Sequence, residues 1–171
     1  MPITRLNHAV LYVRDVEASV AFYAAVLGFR RLDMLPDGFD GAAFLQAEGS
    51  ANDHDLGLFQ MGSDAGPSAA GRSTVGLYHL AWEVDTLAEL DRIRLALAAA
   101  GALTGTADHS SSKSLYAHDP DGIEFEVAWF VPAHKLDDGV LEARKGISQL
   151  DLVAEVERYG AGTVGGFAGV T

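Results

Sequence analysis

The pattern of hydrophobic and polar positions occurs twice along this chain, in each half as a strand pattern followed by a helix pattern. Leu6 to Val16 and Leu77 to Leu87 share one plan: Leu-x-His, four or five strand-like residues, and an acidic residue before a helix. Apolar residues then recur at helical spacing from Val16 to Leu27 and from Leu87 to Ala100. A glycine, which favours the left-handed end of a helix, follows each pattern. The sequence therefore predicts an internal repeat whose copies each begin with a strand and a helix.

Three further strand-like runs follow the helix in each half. In chain order they are Phe29 to Leu35, Ala42 to Ala47, Asp55 to Gln60, Ala102 to Thr106, Lys113 to His118 and Ile123 to Phe130. Each half therefore reads β-α-β-β-β, which predicts an α+β protein. The modules span residues 1–62 and 74–132, and a linker rich in Gly and Ser, 63–73, joins them.

The residues after the repeat, 133–171, form a C-terminal extension in this prediction. Ser148 to Tyr159 has a weak apolar side, and Ser148 is a candidate cap for a short helix. Residues 160–171 are rich in glycine, and we expect this flexible end to be mobile. The extension could pack on the domain, close an opening or mediate dimerisation, and the sequence does not choose among these roles.

A predicted hairpin in the second half brings a phenol and a carboxylate together. The runs Lys113 to His118 and Ile123 to Val127 flank Asp119-Pro120-Asp121-Gly122, which is a strong turn signal. Pairing across this turn would place Tyr116 roughly opposite Glu126. Because Glu126 lies in an otherwise apolar strand, its charge needs a partner. A metal ion would be a sufficient partner.

Composition limits the classes of partner and of metal site. Twenty-four acidic and twelve basic residues among 171 give a formal net charge of -12, which repels phosphate backbones and anionic lipid, so we expect neither nucleic-acid nor membrane binding. The chain has no cysteine, so a metal would have to use His, carboxylate or water. No secretory signal or membrane-spanning run is visible, which predicts a soluble, cytoplasmic protein.

The repeat order, together with His8, His79, the Asp119–Gly122 turn and Glu126, resembles the vicinal oxygen chelate superfamily from Ile3 to about Val131. The resemblance implies two βαβββ modules that form an open, incomplete β-barrel around a metal. It also implies that the two histidines and the glutamate bind that metal. Two imidazoles and one carboxylate form a facial triad that suits Fe(II), with Mn(II) as a substitute, and Zn(II) is less natural there.

The expected number of protein ligands is three. Glu124 is the rival carboxylate, but the resemblance places the ligand four residues after Gly122, which is Glu126. Glyoxalase I-like members take a fourth ligand from the last strand of the first half, whose centre here offers Gly57 and Leu58. Neither side chain can bind a metal. About three coordination positions then stay open for a bidentate substrate and dioxygen.

The remaining polar residues are similar to those of the extradiol ring-cleavage dioxygenases. His54, in His-Asp-Leu-Gly-Leu, looks like the acid/base histidine of that group, and Tyr116 precedes Glu126 by ten residues, as its active-site tyrosine does. Asp108-His109 is similar to a pattern of single-domain catechol 2,3-dioxygenase-like members. Each residue also has a structural alternative: a solvated loop for His54, the core for Tyr116 and the surface for His109.

The resemblance therefore implies an extradiol (meta-cleavage) dioxygenase that opens a small aromatic diol with Fe(II) and O2. His54 would move a proton, since histidine exchanges protons near neutral pH, while Tyr116 and His109 would hydrogen-bond the substrate. His118 is more typical of the turn or rim, and His134 is unassigned. A glyoxalase-like isomerase or lyase and a non-catalytic drug-sequestering protein are the alternatives. A homodimer is also compatible with the superfamily.

Overall fold

The computed structural model describes residues 2–3, 5–68, 70 and 73–166. Backbone contacts divide the chain into two compact units. The first unit consists of Met1–Ser68 and Asp119–Gly122, and the second unit consists of Ala69–His118 and Ile123–Thr171. Each unit contains one four-stranded mixed sheet and its helices.

The first unit has the predicted β-α-β-β-β order. Its elements are β1 (Ala9–Val13), α1 (Val16–Leu27), β2 (Arg30–Leu32), β3 (Ala42–Gln46) and β4 (Leu56–Gln60). The sheet order is β1-β4-β3-β2, with β1 and β4 parallel. Helix α1 begins where the Asp15 side chain accepts a hydrogen bond from the amide of Ala18 and ends at Gly28, whose φ is +70°.

The second unit repeats this order. Its elements are β5 (Leu80–Glu83), α2 (Leu87–Ala99), β6 (Leu103–Asp108), β7 (Ser112–His118) and β8 (Glu124–Phe130). The sheet order is β5-β8-β7-β6, with β5 and β8 parallel. Helix α2 begins at Thr86, whose hydroxyl accepts from the amide of Glu89. The α+β class and the two βαβββ modules are thus confirmed, and neither sheet closes on itself.

The first strand of each half is shorter than its sequence pattern. The repeated pattern begins at Leu6 and Leu77, but β1 begins at Ala9 and β5 at Leu80, directly after His8 and His79. The histidines therefore precede the ladder in both units. Their equivalent position in the repeat is confirmed.

The core of each unit lies between one face of its sheet and its helix. In the first unit the buried side chains include Leu11, Val13, Tyr23, Val26, Leu45, Leu56 and Leu58. In the second unit they include Leu87, Leu90, Ile93, Leu97, Leu115, Phe125, Val127 and Trp129. Because successive strand residues alternate between faces, the opposite face of each sheet carries the candidate chemistry.

The C-terminal extension is more structured than its composition predicts. A 3-10 turn (Ala133–Lys135) and α3 (Asp138–Ala143) were not predicted, and α4 (Leu152–Tyr159) begins four residues after Ser148. Asp151 is its cap, because this carboxylate accepts from the amide of Ala154. No helix in the described part of the chain is long and apolar enough to cross a membrane.

Part of the predicted mobile end is hydrogen-bonded to β8 and to the residues before α2, within the second unit. The Gly165 amide donates to the Asp85 carbonyl at 2.7 Å, and the Gly166 amide donates to the Phe130 carbonyl at 3.0 Å. A side chain at Gly165 would collide with Trp129 and with the Phe130 carbonyl, so the close approach requires glycine there. The rest of the predicted mobile end, 167–171, lies outside the described residues.

Candidate functional site

The strongest candidate for metal binding in the second unit is the pair His79 and Glu126. Glu126 lies on β8 opposite Ala81, and His79 directly precedes β5, which pairs with β8. The His79 Nε2 atom is 3.2 Å from Glu126 Oε2, and the two side chains are 24% and 14% exposed. The pair is therefore half-buried, and both side chains keep some contact with solvent.

The spacing of these two atoms fits adjacent ligands of one metal ion. Ligands at right angles around a metal lie about 3 Å apart, since each bond is about 2.1 Å long. The other ring nitrogen, His79 Nδ1, is buried and has no hydrogen-bond partner. Without a metal, the same geometry would serve an ion pair with a protonated His79. The pair fits a divalent cation as two of its ligands.

Tyr116 lies beside the pair, as the hairpin predicted. Tyr116 and Glu126 are direct partners in the β7–β8 ladder, and the Tyr116 ring lies 5.9 Å from the ring of His79. Burial raises the pKa of the Tyr116 phenol, and the negative charge of Glu126 raises it further. The phenol is therefore held protonated and can donate a hydrogen bond near neutral pH.

His109 joins the same cluster. Its Nε2 atom lies 3.0 Å from the Tyr116 hydroxyl, at hydrogen-bond distance. His109 is half-buried, so the surface alternative does not describe it. The second unit thus brings together four of the six predicted residues, namely His79, Glu126, Tyr116 and His109.

The first unit brings the other two predicted residues together. The centroids of the His8 and His54 rings lie 4.3 Å apart with the ring planes tilted by 35°, and the Phe44 ring meets the His54 ring edge-on at 4.9 Å. His8 Nδ1 is 2.8 Å from Asn7 Oδ1, and His54 Nδ1 is 3.1 Å from Asp53 Oδ2. When Nδ1 donates in both contacts, each ring presents an Nε2 lone pair.

The side chains at the centre of β4, Gly57 and Leu58, cannot bind a metal. Gly57 pairs with Val10 of β1 and with Phe44 of β3, and a side chain at Gly57 would meet both of these residues. Leu58 is fully buried on the opposite face of the strand. The open face of this sheet is therefore apolar around Gly57.

Neither unit by itself collects three ligands: within the described ranges no group of three or more His, Asp or Glu side chains could hold a metal ion. The set of His8, His79 and Glu126 stays a prediction, for which the second unit supplies a pair. Glu124 lies 3.7 Å from His118 at the turn end of the hairpin. His118 is at that rim, as expected.

Two residues of the second unit were not singled out by sequence. The ring of Tyr78 lies 4.6 Å from the ring of His79. Glu83 shares the strand parity of His79, and burial raises the pKa of its carboxyl. Tyr78 occupies the x position of the repeated Leu-x-His pattern. Its position next to His79 was therefore the only signal in the sequence that it could lie at the site. Glu83, a charge inside a strand, was a visible signal.

Comparison with known proteins places the chain in a family. Residues 5–127 match the family model described as the Glyoxalase/Bleomycin resistance protein/Dioxygenase superfamily. The chain belongs to this superfamily. The resemblance to vicinal oxygen chelate proteins, which this description covers, is confirmed.

Individual relatives in the superfamily carry different names, and one of them is a dioxygenase. The chain is 33% identical over 127 residues to a catechol-2,3-dioxygenase of Bacillus subtilis (strain 168); the alignment covers 72% of this chain and 41% of the relative. It thus spans about two fifths of that relative's length.

Two solved structures show the same fold. A glyoxylase/bleomycin resistance protein/dioxygenase domain from Frankia sp. EAN1pec has 25% identity and a TM-score of 0.61, covering 74% of this chain and 92% of that one. A lactoylglutathione lyase from Agrobacterium tumefaciens has 25% identity and a TM-score of 0.53, covering 75% and 95%.

Proposed function

We propose that this protein is an extradiol dioxygenase that opens a catechol-type ring with O2 and a divalent metal, Fe(II) or its substitute Mn(II). The observation that carries the proposal is the cluster in the second unit. It combines a His–Glu pair at ligand spacing with a protonated phenol and a second imidazole, all within one sheet and two adjoining loops. The catechol-2,3-dioxygenase of Bacillus subtilis supports the same reaction class.

The metal would be held by His79 and Glu126, with His8 proposed as the third ligand from its equivalent place in the repeat. A bound Fe(II) would supply two-point chelation of the diol and the redox chemistry that activates dioxygen. The residues themselves favour a cation, because Glu126 is half-buried and carries a negative charge.

His54 is proposed to accept a proton from the substrate hydroxyl and to return it later. Its side chain is 12% exposed and packs against His8 and Phe44, which limits its motion. Asp53 contacts Nδ1, so that Nε2 would be the atom that accepts the proton. This assignment of His54 is a proposal from its surroundings and from the sequence resemblance.

Tyr116 and His109 are proposed to hydrogen-bond the substrate oxygen. The raised pKa of the Tyr116 phenol keeps its proton available for donation. His109, at 3.0 Å from this hydroxyl, would fix its direction. The two side chains would thereby orient the diol and stabilise negative charge as it develops.

The test begins with the metal content of the purified chain and continues with oxygen uptake. Fe(II)-loaded protein, kept reduced, is mixed with catechol while dissolved oxygen and the yellow ring-opened product are followed. The proposal expects one O2 consumed for each catechol, because ring opening adds both oxygen atoms to the carbon skeleton. Iron binding without oxygen uptake would refute the catechol substrate.

A glyoxalase-like reaction is the second candidate, because the chain is also similar to the Agrobacterium lactoylglutathione lyase. Such an isomerase would act on a hemithioacetal of glutathione and would consume no oxygen. The lack of a metal-binding side chain at Gly57 and Leu58 argues against a fourth ligand from β4. Conversion of the hemithioacetal without oxygen uptake would decide for this candidate.

A further inference from the structure

A lysine is completely buried in the second unit, on the face of β7 that points away from Tyr116. Lys113 is 1% exposed, and its ammonium lies 2.5 Å from Asp108 Oδ1 and 2.9 Å from Glu155 Oε2. The contact with Glu155 has the distance of an ion pair without the angle of a hydrogen bond. A buried ammonium requires such partners, since an uncompensated buried charge is strongly destabilising.

The two carboxylates come from different parts of the second unit. Asp108 ends β6, directly before the candidate residue His109, whereas Glu155 lies on α4 of the C-terminal extension. Lys113 therefore ties α4 to the start of the loop that carries His109. Glu155 is 9% exposed, so this link is inside the protein and is little screened by salt.

The loop itself is held by a further internal hydrogen bond and by three hydrogen bonds to the extension. Asp108 Oδ1 also accepts from the amide of Ser110, and the Asp108 backbone exchanges two hydrogen bonds with Ser148 at 2.9 and 3.0 Å. The Ser110 hydroxyl donates to the carbonyl of Val140 in α3 at 3.0 Å. His109 thus lies between two anchored residues.

The backbone at Ser110 needs these bonds. Its φ is +66°, the one positive φ of a non-glycine residue in the described part of the chain. A left-handed non-glycine residue is strained, so it persists only when its surroundings hold it. The bonds to Asp108 and to Val140 are the surroundings that do so.

We propose that the C-terminal extension, 133–166, is a positioning element for the His109–Tyr116 pair. Glu155 fixes the buried Lys113, Lys113 fixes Asp108, and the bonds around Asp108 aim the His109 ring at the Tyr116 hydroxyl. Lys113 and Glu155 are positioning residues and do not touch substrate. The relevance of the pair to catalysis depends on the proposed function, but its geometry does not.

The test compares two glutamates of the same helix. Glu155→Gln removes the buried charge partner, and Glu157→Gln makes the same change at an exposed position. The full chain is labelled with 15N-histidine, without paramagnetic metal, and the His109 ring nitrogens are observed by NMR. Tyr116→Phe provides the reference shift for a lost His109–Tyr116 hydrogen bond.

We expect Glu155→Gln to move the His109 resonance in the same direction as Tyr116→Phe does, while Glu157→Gln leaves it unchanged. A folded Glu155→Gln protein with the wild-type His109 resonance would overturn the proposal. So would an equal shift in both glutamine variants, because the effect would then not depend on the buried ion pair.

If Glu155→Gln does not fold, a second variant tests whether the extension positions the His109 ring. Ser110→Gly removes the hydroxyl that donates to Val140 but tolerates the left-handed backbone. We expect the His109 resonance to move in this variant as well. If Glu155→Gln is unfolded and Ser110→Gly leaves His109 in its wild-type state, the extension does not position the ring.

Measurement of ring-cleavage activity distinguishes a failure of this positioning proposal from a failure of the proposed function. If ring cleavage occurs, Glu155→Gln should lower kcat about tenfold and leave KM unchanged, since misplacement of a catalytic group reduces the rate more than the binding. If no variant and no wild-type protein cleaves catechol, the NMR comparison still tests the positioning. A failure of the proposed function is thus distinguishable from a failure of this inference.

Discussion

At the scale of single residues, the candidate chemistry rests on one carboxylate, Glu126, in an otherwise apolar strand. Glu126 lies in β8 between the buried residues Phe125 and Val127, and its Oε2 atom lies 3.2 Å from Nε2 of His79. Glu124 has the same strand parity, but it lies by His118 at the turn. The two glutamates therefore offer a matched comparison.

Glu126→Gln should abolish tight Mn(II) binding, whereas Glu124→Gln should not. Even outer-shell partners of a metal contribute 10- to 100-fold to its affinity, so loss of a direct ligand should weaken binding by about 100-fold or more. The measurement is the EPR signal of free Mn(II) during titration of the wild type and of both variants. Equal affinities in Glu126→Gln and the wild type would remove this residue from the proposed site.

Tyr116→Phe should lower kcat for ring cleavage by about 100-fold, because a positioned proton donor or acceptor contributes roughly that factor. Steady-state kinetics of the wild type and of the variant measure this loss.

In the wild type, burial and the charge of Glu126 raise the pKa of the Tyr116 phenol. This phenol should therefore keep its proton above pH 10, where an exposed tyrosine ionises. Ultraviolet titration of the wild type and of Tyr116→Phe measures the ionisation of this phenol as the difference between the two proteins. A Tyr116 that ionises below pH 10 contradicts the assigned environment.

At the scale of elements, the Asp119–Gly122 turn has a structural role in the first unit. The buried Tyr23 hydroxyl of α1 donates to Asp119 Oδ2 at 3.1 Å, and Arg14 Nη1 pairs with Asp121 Oδ1 at 2.6 Å. Sequence alone indicated the turn but not these partners, since 96 residues separate Tyr23 from Asp119. Local patterns do not encode such distant contacts.

Tyr23→Phe should lower the free energy of unfolding by about 2 kcal/mol near neutral pH, because a buried bond to a carboxylate is lost. Burial, then the charge and hydrogen bond of Asp119, raise the pKa of Tyr23 in the folded state. The folded protein therefore holds this proton more tightly, and its stability falls as the pH rises above about 10.

The free energies of unfolding of the wild type and of Tyr23→Phe should accordingly differ less at about pH 11 than at about pH 8. Urea unfolding at both pH values measures it, with Tyr12→Phe as the control, since Tyr12 is 72% exposed. A difference that stays constant or widens with pH would show that Tyr23 does not titrate as the structure requires.

The elements themselves were largely predictable because their signals are local. Asp15 and Gly28 bound α1, and the capping residue Thr86 begins α2. The extension was predicted less well: its glycines suggested mobility, but backbone amides at Gly165 and Gly166 find carbonyl partners in the second unit. Those partners depend on tertiary packing, which composition does not describe.

At the scale of the whole molecule, the internal repeat of the sequence allowed the fold and part of the candidate site to be predicted. Equivalent places in the two halves led to His8 and His79, and the strong turn led to Tyr116 opposite Glu126, which the ladder confirms. Lys113 was read only as a strand residue, because nothing in its neighbours predicts a carboxylate from α4. Membership of the superfamily is shown by residues 5–127, and the reaction is our proposal.

The most direct test of the proposed reaction is the fate of the oxygen atoms. Fe(II)-loaded protein reacts with catechol under 18O2, and borohydride reduces the product at once so that its aldehyde oxygen cannot exchange with water. We predict that mass spectrometry finds both labelled atoms of one O2 in a single ring-opened product. A product with one labelled atom or none, or recovery of intact catechol, would contradict extradiol cleavage by this protein.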